Sequence, residues 1–395
     1  MRREEAAARK VICASMSVVG LTCLVMAQLQ GEVLCARAEV KASSSQTAAL
    51  GDTPRFQNAK VETRTLQGSL RETLQRWATG TTKAEWFGYA VTQVKGERVI
   101  CCVNHSENSH GRCGACALEN NNSGVNINTP GPGEGTGTVA LEGQQNMAVM
   151  FRAEGGKIGR IRIFSEDCVA DAGGLKVLWL EGVKAGESVE LLETFVTGEK
   201  AENEHHDSVG KNALVALALH GDPAADRAME AMVSPNRPEW LRKEAAFWLG
   251  EARGEAGLRL LQKMAQNDPS TRVREQVTFA LSVSGEPGAL NEMIRMAHDD
   301  QSLQVRGQAL FWLAQKAGKK AASAITGAIQ DDPDTEVKKK AVFALSQMPV
   351  DEGIPKLIEV AQTNKNPEVR KQAMFWLGQS EDPRALAYFE KVLSQ

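Results

Sequence analysis

"AFWLG" at 246–250 returns as "TFALS" at 278–282, "LFWLA" at 310–314, "VFALS" at 342–346 and "MFWLG" at 374–378, each time 32 residues further on. With Val209, Leu241, Val273, Val305, Val337 and Val369 taken as position 0 of a unit, the period of 32 holds across six copies without an insertion or deletion. Position 4 is then Ala213, Ala245, Val277, Ala309, Ala341 and Ala373, and position 8 is Leu217, Leu249, Leu281, Leu313, Leu345 and Leu377. Positions 0, 4 and 8 fall on one stripe of a helix. A second apolar register follows at position 20 (Met229, Leu261, Met293, Ile325, Leu357, Phe389) and position 24 (Val233, Ala265, Ala297, Ile329, Ala361, Leu393). Asn236, Asp268, Asp300, Asp332 and Asn364 share one place between units, where a short side chain bonding nearby backbone suits a turn. Ser270, Ser302, Asp334 and Asn366 stand where the next helix needs an N-cap.

Each unit therefore reads as helix–turn–helix. One pair of helices cannot bury both its stripes, whereas a stack of six can. The sequence predicts a mainly α fold: an α-solenoid over 204–395, preceded by a small α+β domain over 63–200.

The segments "VREQVTFALS", "VRGQALFWLA", "VKKKAVFALS" and "VRKQAMFWLG", each after an Asp or Asn turn, resemble the HEAT-like repeat family, of the short type also found in bilin-lyase-related proteins. The resemblance implies a scaffold whose phrase-bearing helices line the concave face, a role that is mostly binding and only rarely enzymatic. It places position 5 partly towards the groove. A strip of Leu310, Val342 and Met374, rimmed by Arg306, Lys338 and Arg370, is then the candidate surface for a partner helix or peptide.

Position 7 alternates: Ala216, Trp248, Ala280, Trp312, Ala344, Trp376. It lies about 20° from position 0. Large beside small suits interdigitated packing between units; a row of rings for ligand stacking is the alternative. Position 6 (Val215, Phe247, Phe279, Phe311, Phe343, Phe375) lies well away from the apolar stripe and is still apolar. Position 1 carries Arg242, Arg274, Arg306, Lys338 and Arg370, expected to pair with the acidic turns of neighbouring units. The formal net charge of −3 gives no global pull on nucleic acid, and none is predicted as a partner.

Residues 1–38 read as an export signal. Arg2, Arg3, Arg9 and Lys10 precede an uncharged run over 11–31, and "ARA" at 36–38 is a small-x-small cleavage site. The alternative is a retained inner-membrane anchor, the one case in which a membrane is a partner. Either reading predicts a bacterial envelope protein, periplasmic or secreted if cleaved. Residues 39–62 read as a linker, 68–80 as a helix, and 85–94, 97–103, 146–153, 157–165 and 175–183 as strands, with a hairpin turn at "EGG" (154–156) and a long loop at 119–138.

The segment "CCVNHSENSHGRCGACALE" (101–119) has spacings a zinc site uses, Cys102-x2-His105 and Cys113-x2-Cys116. An oxidising compartment favours disulfides instead. Cys101 and Cys102 are neighbours on a strand, so they point to opposite faces and take different partners. Cys116 and Cys168 are the candidates, with Cys113 left over. No metal or cofactor is predicted. "GPGEGTGT" (131–138) lacks the lysine of a phosphate loop, no G-x-S-x-G occurs, no His-Glu dipeptide is present, and "HH" at 205–206 reads as a solvated junction. The expected function is non-catalytic binding of an envelope protein or peptide through the concave face. The alternative is an enzyme or lyase-like protein acting on a bound small molecule or cofactor.

Overall fold

The computed structural model describes residues 54–94, 99–102, 116–119, 125–128, 146–166, 168–198, 209–316 and 318–394, with the side chains of 99–102 and 125–128 left aside. The export segment, most of the predicted linker, His105, His110, Cys113, the glycine-rich 131–138 and the histidine pair lie outside these residues.

The α+β part comprises β1 (Phe56–Gln57), β2 (Lys60–Thr65), α1 (Leu70–Gly80), β3 (Glu85–Thr92), β4 (Val99–Cys102), β5 (Cys116–Ala117), β6 (Val125–Asn128), β7 (Asn146–Glu154), β8 (Lys157–Ser165), β9 (Ala170–Asp171), β10 (Lys176–Glu181) and α2 (Ala185–Gly198). Its main sheet runs β2-β10-β3-β7-β8. The first three strands are parallel, with Lys60 and Glu85 both facing Lys176, and the last two are antiparallel to their neighbours. The β7–β8 hairpin turns through Gly155 and Gly156, at φ 56° and 79°, left-handed values that a two-residue turn demands and that glycine adopts without steric cost. Phe87, Tyr89 and Val91 alternate towards α1 and α2, while Trp86 packs on the other face with Met150, Phe164 and Trp179.

Two expectations are corrected. The predicted linker 39–62 contains β1 and the start of β2, and the predicted loop 119–138 contains β6. β2 is exposed at every position and edges the sheet, so no buried face marks it in the sequence. Helix α2 was not foreseen, although Val189, Leu192 and Val196 carry its helical spacing and are buried.

Six helix pairs follow. The first helices are α3 (Val209–Leu219), α5 (Glu239–Ala252), α7 (Thr271–Val283), α9 (Leu303–Lys316), α11 (Thr335–Ser346) and α13 (Pro367–Gly378). The second helices are α4 (Ala224–Met232), α6 (Gly254–Asn267), α8 (Pro287–Asp299), α10 (Lys319–Asp331), α12 (Val350–Thr363) and α14 (Pro383–Leu393). Positions 4 and 8 are buried in all six units. At position 24, only Leu393 on the last helix is exposed. Ser270, Asp334 and Asn366 cap α7, α11 and α13 with their side chains, as the spacing predicts. Successive first helices pack along their lengths, whereas second helices meet at fewer points, which puts the first helices on the inner side of the stack. The approach is close enough that a Cβ on Gly250 would collide with the Ala280 carbonyl.

The sheet is seamed to the first unit by backbone. Val94 N–H donates to Leu219 O at 2.8 Å and Gly221 N–H to Thr92 O at 2.7 Å. A Cβ on Gly221 would stand 2.6 Å from Gln93 O, so this approach requires glycine. Helix α2 packs on α3 and α4, so the first unit's open apolar end is covered.

Candidate functional site

The basic ladder is internal. Arg306 is buried; its Nε and second amino group hold Asp332 Oδ2 and Oδ1 at 2.8 and 3.1 Å, and its other amino group donates to Asp300 O at 2.9 Å. Arg242 grips Asp268 and Arg274 grips Asp300 with the same fork. The bond to Asp300 heads the causes that raise the Arg274 guanidinium further above its usual range. In the fifth unit lysine replaces arginine and Asn364 replaces the turn aspartate; Lys338 Nζ donates instead to Gln330 O at 2.7 Å. Arg370 donates to Asn364 O at 2.8 Å. The turn aspartates also accept their own backbone: Ser270 N–H reaches Asp268 at 2.9 Å and Ser302 N–H reaches Asp300 at 2.8 Å. These residues tie one unit to the next, and Arg306 does not rim a groove.

Leu310 and Val342 are fully buried, and Met374 is partly buried against the core. They therefore do not form the expected groove strip. The reason is angular. Position 5 lies about 100° from the centre of the 0-4-8 stripe, towards the adjoining first helix, whereas position 6 lies about 200° from it, facing outward. The exposed inner face is built on position 6.

That face carries an unbroken row of rings. Phe247 and Phe279 stack at 5.8 Å with planes 14° apart, and Phe311 and Phe343 stack at 6.2 Å and 9°. The tryptophans join the pairs: Trp312 meets Phe279 at 4.8 Å and Phe311 at 5.0 Å; Trp376 meets Phe343 at 5.0 Å and Phe375 at 5.1 Å; Trp248 meets Phe247 at 5.0 Å. Trp248 is nearly buried, the middle rings are half-buried, and Phe375 is 53% exposed. The Trp–Ala alternation thus has a packing cause, since Ala280 and Ala344 are fully buried where the stack has no room for a ring. It also sets the two-unit period of the row. Among the described residues, the indole N–H groups of Trp248, Trp312 and Trp376 are buried without an acceptor. Around the rings lie Gln276, Gln308 and Gln372 and the small Gly250, Ser282, Ala314 and Ser346. The face is broad, apolar along its spine and amide-rich at its sides.

The outer layer is clefted. The space between α8 and α10, about 670 Å³, is lined by Ile294, Ala297, His298, Ala324, Ala328 and Asp331. His298 Nδ1 lies 2.5 Å from Asp299 Oδ1, and that contact holds the exposed imidazole above its usual range. Cys168 is buried in the apolar cluster with Trp179 and Val177. Cys116 is disulfide-bonded. Among the described residues no three His, Cys, Asp or Glu side chains gather to hold a metal ion.

Residues 235–314 and 322–395 match the family model for HEAT repeats. No curated protein matches the chain. Solved structures similar to it include human deoxyhypusine hydroxylase with glycerol (17% identity, 52% of this chain and 90% of that one, TM-score 0.23). The complex of CpcE and CpcF of phycocyanin lyase from Nostoc sp. is similar at 21% identity over 40% of this chain and all of that one, TM-score 0.29. A Kap121p mutant is similar at 13% identity over 53% of this chain and 27% of that one, TM-score 0.33. The phrase that recurs every 32 residues is the first helix of a HEAT repeat, and the helical stack of this protein is a HEAT-like solenoid.

Proposed function

We propose that this protein is a non-catalytic binding scaffold of the bacterial envelope, and that it holds an extended polypeptide segment of a partner protein along the inner face of its solenoid. The observation that carries the reading is the row of eight rings from Trp248 to Phe375, running across five successive first helices on the surface. Aromatic surface in such a row offers large contact area at little side-chain entropy cost, and flanking amides can pair with a partner's backbone. The arginines Arg274 and Arg306 of position 1 are occupied by turn aspartates inside the stack, so they are not offered to a partner's phosphates. The envelope location rests on the N-terminal pattern alone.

The test is affinity capture from envelope extracts with the wild-type chain and a Phe311→Ser/Phe343→Ser variant, with helical content checked by circular dichroism. Loss of one prominent partner at unchanged helicity supports the reading. An identical set of partners with both proteins contradicts it.

A further inference from the structure

The two ends of the aromatic face differ in charge. Beside the rings of α5 and α7 stand Glu244, Glu251 and Glu275, with Lys243; beside those of α11 and α13 stand Lys339, Lys340 and Lys371, while Arg272, Glu336 and Glu368 lie two turns away at the helix starts. Between them, α9 contributes Gly307, Gln308, Phe311, Ala314 and Gln315, none of them charged. The opposition is not consumed internally. Lys339 pairs with Glu336 at 3.0 Å, but Lys340, Lys371, Glu244 and Glu275 enter no side-chain ion pair among the described residues. Lys340 is also placed. Its stem lies across Gly307, where any added Cβ would collide with it, one helical turn from Phe311. The absence of a side chain at position 307 lets this lysine lie along the floor beside the rings, rather than stand away from them.

Resting on the reading of this face as the binding face, we infer that its occupant is a polypeptide segment with its own charge polarity: apolar side chains in the middle, carboxylates over α11–α13 and cations over α5–α7. Complementary ends fix which way the segment lies, because the reversed placement sets lysine against cations and glutamate against carboxylates. The rings supply contact and the charges supply orientation. Each exposed pair changes affinity by at most about fivefold, and salt screens it.

The experiment uses the full chain and fluorescein-labelled synthetic peptides read by anisotropy at low and high salt. One peptide carries a block of lysines, a Leu-Pro-Tyr-Leu-Pro-Leu centre and a block of glutamates. Two others keep the centre with all-lysine or all-glutamate blocks, and a fourth keeps the mixed blocks around a Gly-Ser centre. The expected result is tightest binding of the mixed-block peptide with the apolar centre. Lys340→Glu/Lys371→Glu should weaken it about tenfold at low salt and shift preference to the all-lysine peptide. If the three apolar-centred peptides bind alike and the charge-reversed variant changes nothing, the polarity inference is wrong while the binding face stands. If the Gly-Ser peptide binds as well as its apolar counterpart, or if no peptide binds, the binding face itself fails and the inference falls with it.

Discussion

The α+β part and the solenoid use aromatic residues in opposite ways. In the sheet, Trp86, Phe87, Tyr89, Phe151 and Trp179 are fully buried, and their polar atoms are provided for: Trp86 N–H donates to Glu119 at 2.8 Å, and the Tyr89 hydroxyl meets Ser188 at 3.0 Å. Burial pushes the Tyr89 phenol far above its usual range, as expected of a core group. In the solenoid the rings stand in a row along one face, and the row's three indole N–H groups lack acceptors among the described residues. Core packing explains the first set. It explains the second only in part: Trp248 belongs to the core and Trp312 and Trp376 pack against it, whereas the phenylalanines of position 6 point away from the 0-4-8 stripe.

The sharpest break of this comparison is a matched pair of truncations. Phe151→Ala should cost about 3–5 kcal/mol of stability, and Phe311→Ala less than about 1.5, both read by chemical denaturation of the full chain. Equal losses would make the surface row part of the core after all. Next in size is the strut. Arg306→Ala leaves Asp332 buried and unpaired at a cost of about 3–5 kcal/mol, whereas Arg370→Ala removes a donor that faces only carbonyls and should cost about 1.

The seam gives a pH signature. His220 is fully buried, its Nδ1 accepts Asp222 N–H at 3.1 Å, and its backbone carbonyl accepts from Arg253 at 2.6 Å. Burial above all, opposed by Asp222 and reinforced by Arg253, lowers its pKa to about 4. The unfolded chain titrates near 6.5, so the stabilisation is complete above that value and is lost as pH falls towards about 4. The loss is at most about 3 kcal/mol. Denaturation midpoints measured between pH 7.5 and 4.5 should fall in the wild type and fall less in His220→Gln. The smallest effect sharpens the row itself. Trp312→Phe removes an N–H that has no acceptor and keeps a ring, so stability should change by less than about 1 kcal/mol in either direction. A large loss would mean that the indole makes a contact beyond ring packing.

The repeat was legible because an unbroken period of 32 imposes itself on every position. Burial at 0, 4 and 8, the caps at Ser270, Asp334 and Asn366, and the arginine–aspartate struts all follow from it. The exposed β2 is hidden in the sequence because nothing buries it, and α2 is masked by its β-branched residues Val189, Thr194, Val196 and Thr197 directly after a strand. The exposed strip lies one residue on from the expected one. Family resemblance points to Leu310 and Val342, while helical geometry turns Phe311 and Phe343 outward. The signal was present as apolar residues far from the core stripe. It could not be resolved from one helix, because in a stack each helix has neighbours on two sides and apolar character alone does not distinguish them from solvent.

The central claim is that the ring-bearing face holds the partner. It is tested most directly by placing a photo-crosslinking amino acid at position 311 on α9 and, in a separate protein, at position 259 on the outer helix α6, then irradiating intact cells. Discrete adducts from position 311 and few from position 259 are predicted. Equal adducts from both, or adducts from the outer position alone, would contradict the account.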